Sequence, residues 1–312
     1  MADRRWRHFL PILGVGLLIA SALLLRRQLI ELDFVLVWAS IRALPLVQLG
    51  LAIGFTLAGY LAILGFDILA LRYLDVRVRR SQLLLASFVS GAFKNGVSLP
   101  FIGSGGVRVR FYAAWGLRPG QLARMVAFIA FGSWAGLLFA SGTASLLHPP
   151  RHPSGIALDA TTWTYLFRGF GFVFLVVVGL AVRFSLSREA FALRRWTVPL
   201  PRGPHVVGQV GLGLAEWTAQ GLLLYALLLG NGAPSLAVYL PAYFGAMFLA
   251  RLGHIPAGLG VLDSGMLLML GPTVPEAELV AALILFRVIY HLGPLSAALV
   301  LLGAFELRQR LG

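Results

Sequence analysis

The residues best suited to chemistry lie between Lys94 and Tyr112, in the sequence KNGVSLPFIGSGGVRVRFY. The proline and the glycines that follow it disfavour a continuous helix, although the segment interrupts a long apolar stretch. In a bilayer an unsatisfied backbone group costs several kcal/mol, so non-helical chain must be enclosed by protein or line a wet cavity. Arg108 and Arg110 supply guanidinium groups, and a helix starting beside them would add backbone N–H donors; both suit a phosphate. The segment therefore predicts an anion-attracting re-entrant hairpin.

Structural roles for the same side chains are also open. Arg108 and Arg110 are two positions apart, so they share a face in an extended segment and diverge by about 200° on a helix. Arg110 could snorkel to the membrane surface, and Lys94 could pair with a carboxylate. Asn95 and Ser104 could satisfy the broken backbone instead of touching a ligand. The candidate substrate-binding residues of this segment are Lys94, Asn95, Ser104, Gly105, Gly106, Arg108, Arg110 and Tyr112.

A second polar group begins in the sequence RLGHIPAGLGVLDSG, where a proline and glycines again interrupt an apolar run. Farther along, Arg287 and His291 are four positions apart and share a helix face with Tyr290 beside them. Asp263 is the nearest carboxylate to Arg287 by topology, so the two either brace a second hairpin as an ion pair or contact ligand directly. The histidines do not predict a metal site, because no third ligand has suitable spacing. The candidate substrate-binding residues here are His254, Asp263, Arg287, Tyr290 and His291.

Three further charged residues stand inside or beside apolar runs. Asp67 and Glu216 are lone carboxylates, and each could either carry protons or neutralise an arginine. Arg251 precedes the second interruption and joins them as a candidate for charge pairing or a proton relay. Charge pairing is the simpler interpretation, since an unpaired charge inside a membrane is costly.

Composition indicates a membrane protein. Of 312 residues, 59% are hydrophobic and 12% are charged, compared with roughly 25% charged in a soluble domain. The formal net charge of +14 fits arginine-rich cytoplasmic loops and attraction to anionic lipids, so nucleic acid is not an expected partner. The absence of cysteine excludes disulfides and thiolate chemistry. No nucleophile elbow, Walker loop or metal-ligand cluster occurs, so we expect no enzymatic activity and no cofactor.

Apolar runs recur along the chain and predict transmembrane helices. We predict an all-α polytopic membrane protein with about six full transmembrane helices plus two re-entrant helical hairpins. Residues 1–312 are expected to form a single integral membrane domain, and the paired interruptions favour an inverted repeat with halves at approximately 46–147 and 206–302. The runs lie near 9–25, 46–71, 83–101, 123–147, 163–182, 206–229, 236–250, 261–271 and 277–302.

Arginine-rich loops predict the orientation. Loops 72–80 and 183–205 fall on the same side of the membrane if both interruptions are hairpins. The positive-inside rule makes that side the cytoplasm and places both termini there. The first apolar run, 9–25, has some features of a signal peptide, but its length favours a retained anchor.

Three motifs together resemble a known family. The first runs from Lys94-Asn95 to GGVRVRFYAAWGL at 105–117. The second is HIPAGLGVLD at 254–263, and the third is FRVIYHLGPL at 286–295. The chain from about Ser81 to its end is similar to the membrane domain of the lysylphosphatidylglycerol synthetase/flippase family, the multiple peptide resistance factor proteins, and to its stand-alone YbhN-like members. It departs from that pattern at Asp263, where glutamate is more usual, and at Ala257-Gly258, where two glycines are more usual.

The resemblance implies a lipid-translocating domain of the bacterial inner (cytoplasmic) membrane, with the GGVRVRFY run meeting the lipid headgroup. The soluble transferase domain of the bifunctional members is absent from this sequence, so lipid aminoacylation is not expected. The principal hypothesis is a flippase or transporter that moves an anionic or zwitterionic phospholipid, including an aminoacyl-phospholipid, or a related lipid between leaflets. The alternatives are a secondary transporter of a small anion and a non-transporting membrane partner of a lipid-modifying enzyme. The expected partners are anionic membrane lipids, and either a homo-oligomer or a separate lipid-modifying enzyme is compatible with the sequence.

Overall fold

The structure is a computed structural model that describes residues 44–97, 104–152, 157–187, 190–193, 196–199, 201, 203–228, 233–253 and 260–311, together with Val35, Ala39 and Arg42. Most of these residues are helical. The protein is an all-α polytopic membrane protein, which confirms the predicted fold class.

The helices, in chain order, are α1 (Leu46–Leu74), α2 (Arg80–Val97), α3 (Ser104–Ala114), α4 (Pro119–Leu147), α5 (Ala160–Ser187), α6 (Gly203–Leu228), α7 (Leu236–Leu252), α8 (Val261–Leu270), α9 (Glu276–Phe286) and α10 (Gly293–Leu311). A single π-helical turn, Arg287–Leu292, joins α9 to α10. A two-stranded antiparallel ribbon, β1 (Ala190–Leu193) and β2 (Trp196–Pro199), lies between α5 and α6.

Four helices in the described part of the chain are long and apolar enough to cross a membrane. They are α1, α4, α5 and the continuous helix Glu278–Gln309, which includes the π turn. At about 1.5 Å per residue, their 28 to 32 residues exceed the roughly 30 Å hydrocarbon core. A fifth predicted crossing corresponds to α6, whose 26 residues are long enough to span but include Glu216. The predicted run 9–25 lies outside the described residues.

The surface of α5 is suited to contact with lipid. Only 17% of its most apolar window is buried within the protein, and large apolar side chains such as Phe170, Phe172 and Leu180 are exposed along it. An exposed apolar surface of this kind would promote aggregation in water but is favourable in a bilayer.

The two interruptions predicted from the sequence both separate short helices. Helix α2 ends at Val97 and α3 begins at Ser104, while α7 ends at Leu252 and α8 begins at Val261. Within each pair the two helices pack against each other. Helix α3 has 11 residues and α8 has 10, so each covers only about half of the hydrocarbon core. These are the helical hairpins that the proline and glycine pattern predicted.

Helices of the two predicted halves pack against each other, and the inverted repeat stays a prediction. Helix α1 packs on α6; α2 of the first hairpin packs on α10, and α7 of the second hairpin packs on α4. Within each unit, α1 contacts α4 and α6 contacts α9. If both hairpins return to their own side, the two crossings α4 and α5 lie between α1 and α6. The direction of the chain then reverses three times, so α1 and α6 run antiparallel. Each hairpin then enters the membrane from the side opposite to the other.

The ribbon is a departure from the sequence prediction, which treated the loop between α5 and α6 as irregular. Ala190 pairs with Pro199 and Leu193 with Trp196. The segments AFAL and WTVP contain residues that favour extended chain, namely phenylalanine, tryptophan, threonine and valine. The ribbon shortens this long arginine-rich connection without adding a crossing.

Candidate functional site

Arg108 and Arg110 lie within the regular helix α3, which begins at Ser104. The structure therefore selects the helical alternative, in which the two side chains diverge by about 200°, and the extended arrangement is wrong. The helix begins earlier than expected because the glycines at 105 and 106 are accommodated in its first turn, where both are buried. The two arginines consequently reach different neighbouring helices.

Arg108 forms a bidentate ion pair with Asp67 of α1. Its Nε donates to one carboxylate oxygen at 3.0 Å and an Nη donates to the other at 2.9 Å. The hydroxyl of Tyr112 also donates to Asp67 at 3.2 Å. Arg108 is 2% exposed and Asp67 is fully buried. This confirms the charge-pairing interpretation of Asp67 and fixes α3 against α1.

Arg110 points the other way and pairs with Glu306 of α10. An Nη donates to one carboxylate oxygen at 2.8 Å, and Nε lies 2.7 Å from the other. The guanidinium carbon also lies 5.2 Å from the centre of the Phe305 ring. Arg110 is buried, so it does not snorkel to the membrane surface. The RVR spacing thus holds α3 between α1 and α10, and the headgroup-binding role predicted for these arginines stays a prediction.

Lys94, near the end of α2, forms the third buried ion pair. Its Nζ donates to both carboxylate oxygens of Glu216, at 2.5 and 2.6 Å, and to the hydroxyl of Ser133 at 2.7 Å. Glu216 lies on α6 and Ser133 on α4. Glu216 is therefore charge-paired, but with a lysine and not with the expected arginine. The pair connects α2 of the first hairpin to α4 and α6.

Arg251, at the end of α7, is a second cation close to the Lys94–Glu216 ion pair. Its guanidinium carbon lies 4.9 Å from the centre of the Trp217 ring, and Lys94 Nζ lies 5.5 Å from the same ring. The indole is held in place because its Nε1 donates to the Ser133 carbonyl at 2.8 Å. Among the described residues no carboxylate forms an ion pair with Arg251. We call Lys94, Ser133, Glu216, Trp217 and Arg251 the central cluster; its two cations and one carboxylate leave one net positive charge.

Buried polar groups surround the central cluster. Arg251 interacts electrostatically with Tyr243 and Tyr290 as well as with Glu216, and Asn95 is adjacent to Lys94 in sequence. The Asn95 amide nitrogen, both of these tyrosine hydroxyls and Nδ1 of His291 are buried without a hydrogen-bond partner in the described structure. Most buried polar groups in proteins are satisfied. These atoms can therefore supply hydrogen bonds to a polar group that enters the cluster.

The second hairpin is braced as the sequence suggested. Gly260 adopts φ 79°, a conformation that favours glycine, immediately before α8 begins. Asp263 accepts a hydrogen bond from the Gly260 amide at 2.8 Å and forms an ion pair with Arg287. The predicted partnership of Asp263 and Arg287 is confirmed. His254 lies outside the described residues.

The π turn positions the polar residues of the last span. Arg287 starts it, and Tyr290 and His291 are buried within it. A π turn inserts extra chain into a helix and is frequent at functional sites. The Tyr290 ring fits against α1, because a Cβ on Gly59 would lie 2.8 Å from its hydroxyl. The residues were predicted from their spacing, but no local pattern predicted a π turn at Arg287–Leu292.

Some members of the site were not found from the sequence. Glu306 was missed because its partner Arg110 is 196 positions away, and Ser133 resembles any small polar residue in a span. Trp217 was noticeable only as a tryptophan inside an apolar run. Ser104, Gly105 and Gly106 form the first turn of α3, so their backbone N–H groups lie at the start of the helix. Over the described ranges no group of three or more His, Asp or Glu side chains could hold a metal ion.

Comparison with known proteins gives a consistent but coarse result. No protein-family model matches the chain. It is 28% identical over 302 residues to a Synechocystis protein named uncharacterized protein slr0712, covering 95% of this chain and 91% of that protein. It is also 28% identical over 304 residues to the Escherichia coli inner membrane protein YbhN, covering 95% of this chain and 92% of that protein. The similarity over nearly the full length supports a YbhN-like membrane protein.

Proposed function

We propose that this protein is a lipid flippase or transporter of the bacterial inner membrane, which moves a phosphate-bearing lipid headgroup between leaflets. The observation that carries the proposal is Arg251, a cation without a carboxylate partner among the described residues, located beside the already neutralised Lys94–Glu216 pair. Ionisable groups at membrane depth commonly mark a substrate path. The inner-membrane location rests on the similarity to YbhN together with the apolar helices.

The charge of the central cluster suits one phosphodiester. One net positive charge would be neutralised by the single negative charge that both anionic and zwitterionic phospholipids carry on their phosphate. Guanidinium groups bind phosphate oxygens with charge-assisted hydrogen bonds, which are stronger than neutral ones. The unpartnered hydroxyls of Tyr243 and Tyr290 would add donors around the same group.

Two apolar grooves along α4 and α6 favour a lipid over a small soluble anion. One of about 280 Å³ lies at the N-terminal end of α4, beside Phe128 and Phe131. The other, of about 410 Å³, lies toward its C-terminal end, beside Phe139 and Leu147. Because α4 spans the membrane, the grooves fall in opposite leaflets. Each can receive acyl chains while only the headgroup passes the central cluster.

The proposal predicts that Arg251→Gln slows translocation of an anionic lipid. A charge-assisted hydrogen bond contributes about 1.5–3 kcal/mol, so the rate should fall by about tenfold or more. The measurement is a leaflet-resolved assay in proteoliposomes, in which a membrane-impermeant reagent quenches fluorescent phosphatidylglycerol only in the outer leaflet.

The matched control is Arg168→Gln, which removes an exposed arginine of α5 and should leave the rate unchanged. Thermal unfolding of both variants in detergent separates a transport defect from a folding defect. Equal rates for wild type and a folded Arg251→Gln variant would contradict the proposal. Uptake of soluble phosphate that depends on a pH gradient, without lipid movement, would instead support a small-anion transporter.

A further inference from the structure

Arg124 of α4 lies outside the central cluster, and its side chain is partly buried against Tyr73. Its guanidinium carbon is 4.9 Å from the centre of the Tyr73 ring. None of the carboxylates in the described ranges forms an ion pair with it. Its Nε is buried without an acceptor. Arg124 is therefore held by an aromatic ring and retains its capacity to bind an anion.

The groove of about 280 Å³ opens next to Arg124. Its walls are apolar, with Phe128 and Phe131 on α4 and Ala181 and Phe184 on α5. Phe131 is 37% exposed, so this wall faces the surroundings of the protein. In a chain that spans a bilayer, those surroundings at this depth are acyl chains.

Two further buried polar atoms belong to Gln209, which lines the groove, and to His205, which packs behind Tyr73. Gln209 donates to the Phe128 carbonyl at 2.7 Å, which leaves its own Oε1 buried without a donor. His205 packs edge-on against Tyr73, with ring centres 6.1 Å apart, and its Nδ1 is also buried without a partner. The charge at the shallow end of the groove thus comes from Arg124, and Gln209 adds one unsatisfied acceptor deeper in the lining, beside Phe128.

The position of Arg124 along its helix matches the depth of a headgroup. It is the sixth residue of α4, so it lies about 8 Å from the helix start. The groove then continues deeper along the same helix past Phe128 and Phe131. A charged end near the membrane surface followed by an apolar channel is the order of groups in a phospholipid. The groove in the opposite leaflet has no arginine in its lining.

We propose that this groove is a binding site for one anionic phospholipid, with the phosphate at Arg124 and an acyl chain between α4 and α5. The site takes lipid from the leaflet next to the 115–119 turn, which the arginine bias makes the cytoplasmic leaflet. Its role as a loading site rests on the proposed function. Its occupancy by lipid does not, since it can be measured without transport.

Native mass spectrometry of the purified protein with added phosphatidylglycerol tests this site. Arg124→Gln removes the charge, and Ala127→Trp fills the groove from an exposed position that lines it. A basic residue near the membrane surface contributes about 1 kcal/mol to anionic lipid binding, so Arg124→Gln should bind about fivefold less lipid. Ala127→Trp should also bind less lipid, because its ring occupies the space of the acyl chain. Ala130→Trp, at an exposed position on α4 outside the groove, and Arg168→Gln should bind as the wild type does.

Three outcomes would overturn the inference. They are unchanged phosphatidylglycerol binding by both groove variants, an equal loss in Ala130→Trp, and equal retention of a cationic lipid by the wild type. Displacement of phosphatidylglycerol by millimolar inorganic phosphate would also count against it, because the acyl chain would then contribute nothing. If lipid remains bound at Arg124 while Arg251→Gln leaves translocation unchanged, the site stands and the proposed function fails.

Discussion

Replacing Arg108 with glutamine will lower the free energy of unfolding by about 3–5 kcal/mol. The change leaves Asp67 fully buried with only the Tyr112 hydroxyl as a partner. A buried carboxylate that loses its guanidinium partner keeps its desolvation cost without the compensating attraction. Thermal unfolding of the purified protein in detergent will show the loss as a lower midpoint temperature. Arg168→Gln, which removes an exposed charge, should leave the midpoint unchanged.

A double variant distinguishes the contribution of the ion pair to stability from the contribution of side-chain packing. Asp67→Asn combined with Arg108→Gln removes both charges and retains side chains of similar size that can hydrogen-bond. We expect it to be more stable than either single variant, because neither charge is then left alone. A double variant whose loss equals the sum of the two single losses would show that Arg108 and Asp67 do not act as a pair.

Replacing Gly136 with alanine should destabilise the protein by about 1–3 kcal/mol. The glycine lies where α4 crosses α6, and a Cβ at this position would be 2.2 Å from the carbonyl carbon of Gly213. The obstacle is backbone, so it cannot rotate away as a flexible side chain would. The two helices must separate, which weakens the contact that carries both Ser133 and Glu216. The same unfolding measurement detects the change.

A control on α6 should respond in the opposite direction. A Cβ at Gly211 would meet nothing within 4 Å. Gly211→Ala is therefore expected to leave stability unchanged or to raise it by up to about 1 kcal/mol, through the higher helix propensity of alanine. If Gly136→Ala is as stable as Gly211→Ala, the close crossing of α4 and α6 is not needed for stability.

Much of the architecture follows from two local signals in the sequence. Apolar runs of the right length predicted the spans. The interruptions predicted both hairpins, because a proline followed by closely spaced glycines disfavours a continuous helix. The ion pair of Asp263 and Arg287 could be predicted because, in the predicted topology, Asp263 is the carboxylate nearest to Arg287. Helix length and helix interruption depend on neighbouring residues in the sequence, and the ion pair depends on only two residues.

Other features depend on contacts between distant parts of the chain. The direction of Arg110 is set by Glu306 on α10, which no local pattern indicates. A helical course for Arg108 and Arg110 points the two side chains in different directions, so it requires a carboxylate partner in each direction. Asp67 on α1 and Glu306 on α10 are those partners. Arg251 could not be assigned to the central cluster from the sequence, because only the folded structure brings Arg251 and Lys94 to the same Trp217 ring. Such arrangements are decided by tertiary packing, which overrides weak local preferences.

The most direct measurement is the rate at which fluorescent phosphatidylglycerol crosses the bilayer of vesicles that contain the purified wild-type protein. Protein-free vesicles and vesicles with the folded Arg251→Gln variant provide the comparisons. We predict that the wild-type protein raises the rate far above both, and that a cationic lipid, which the net positive charge of the central cluster repels, crosses more slowly. Rates equal to those of protein-free vesicles would contradict lipid translocation as the function.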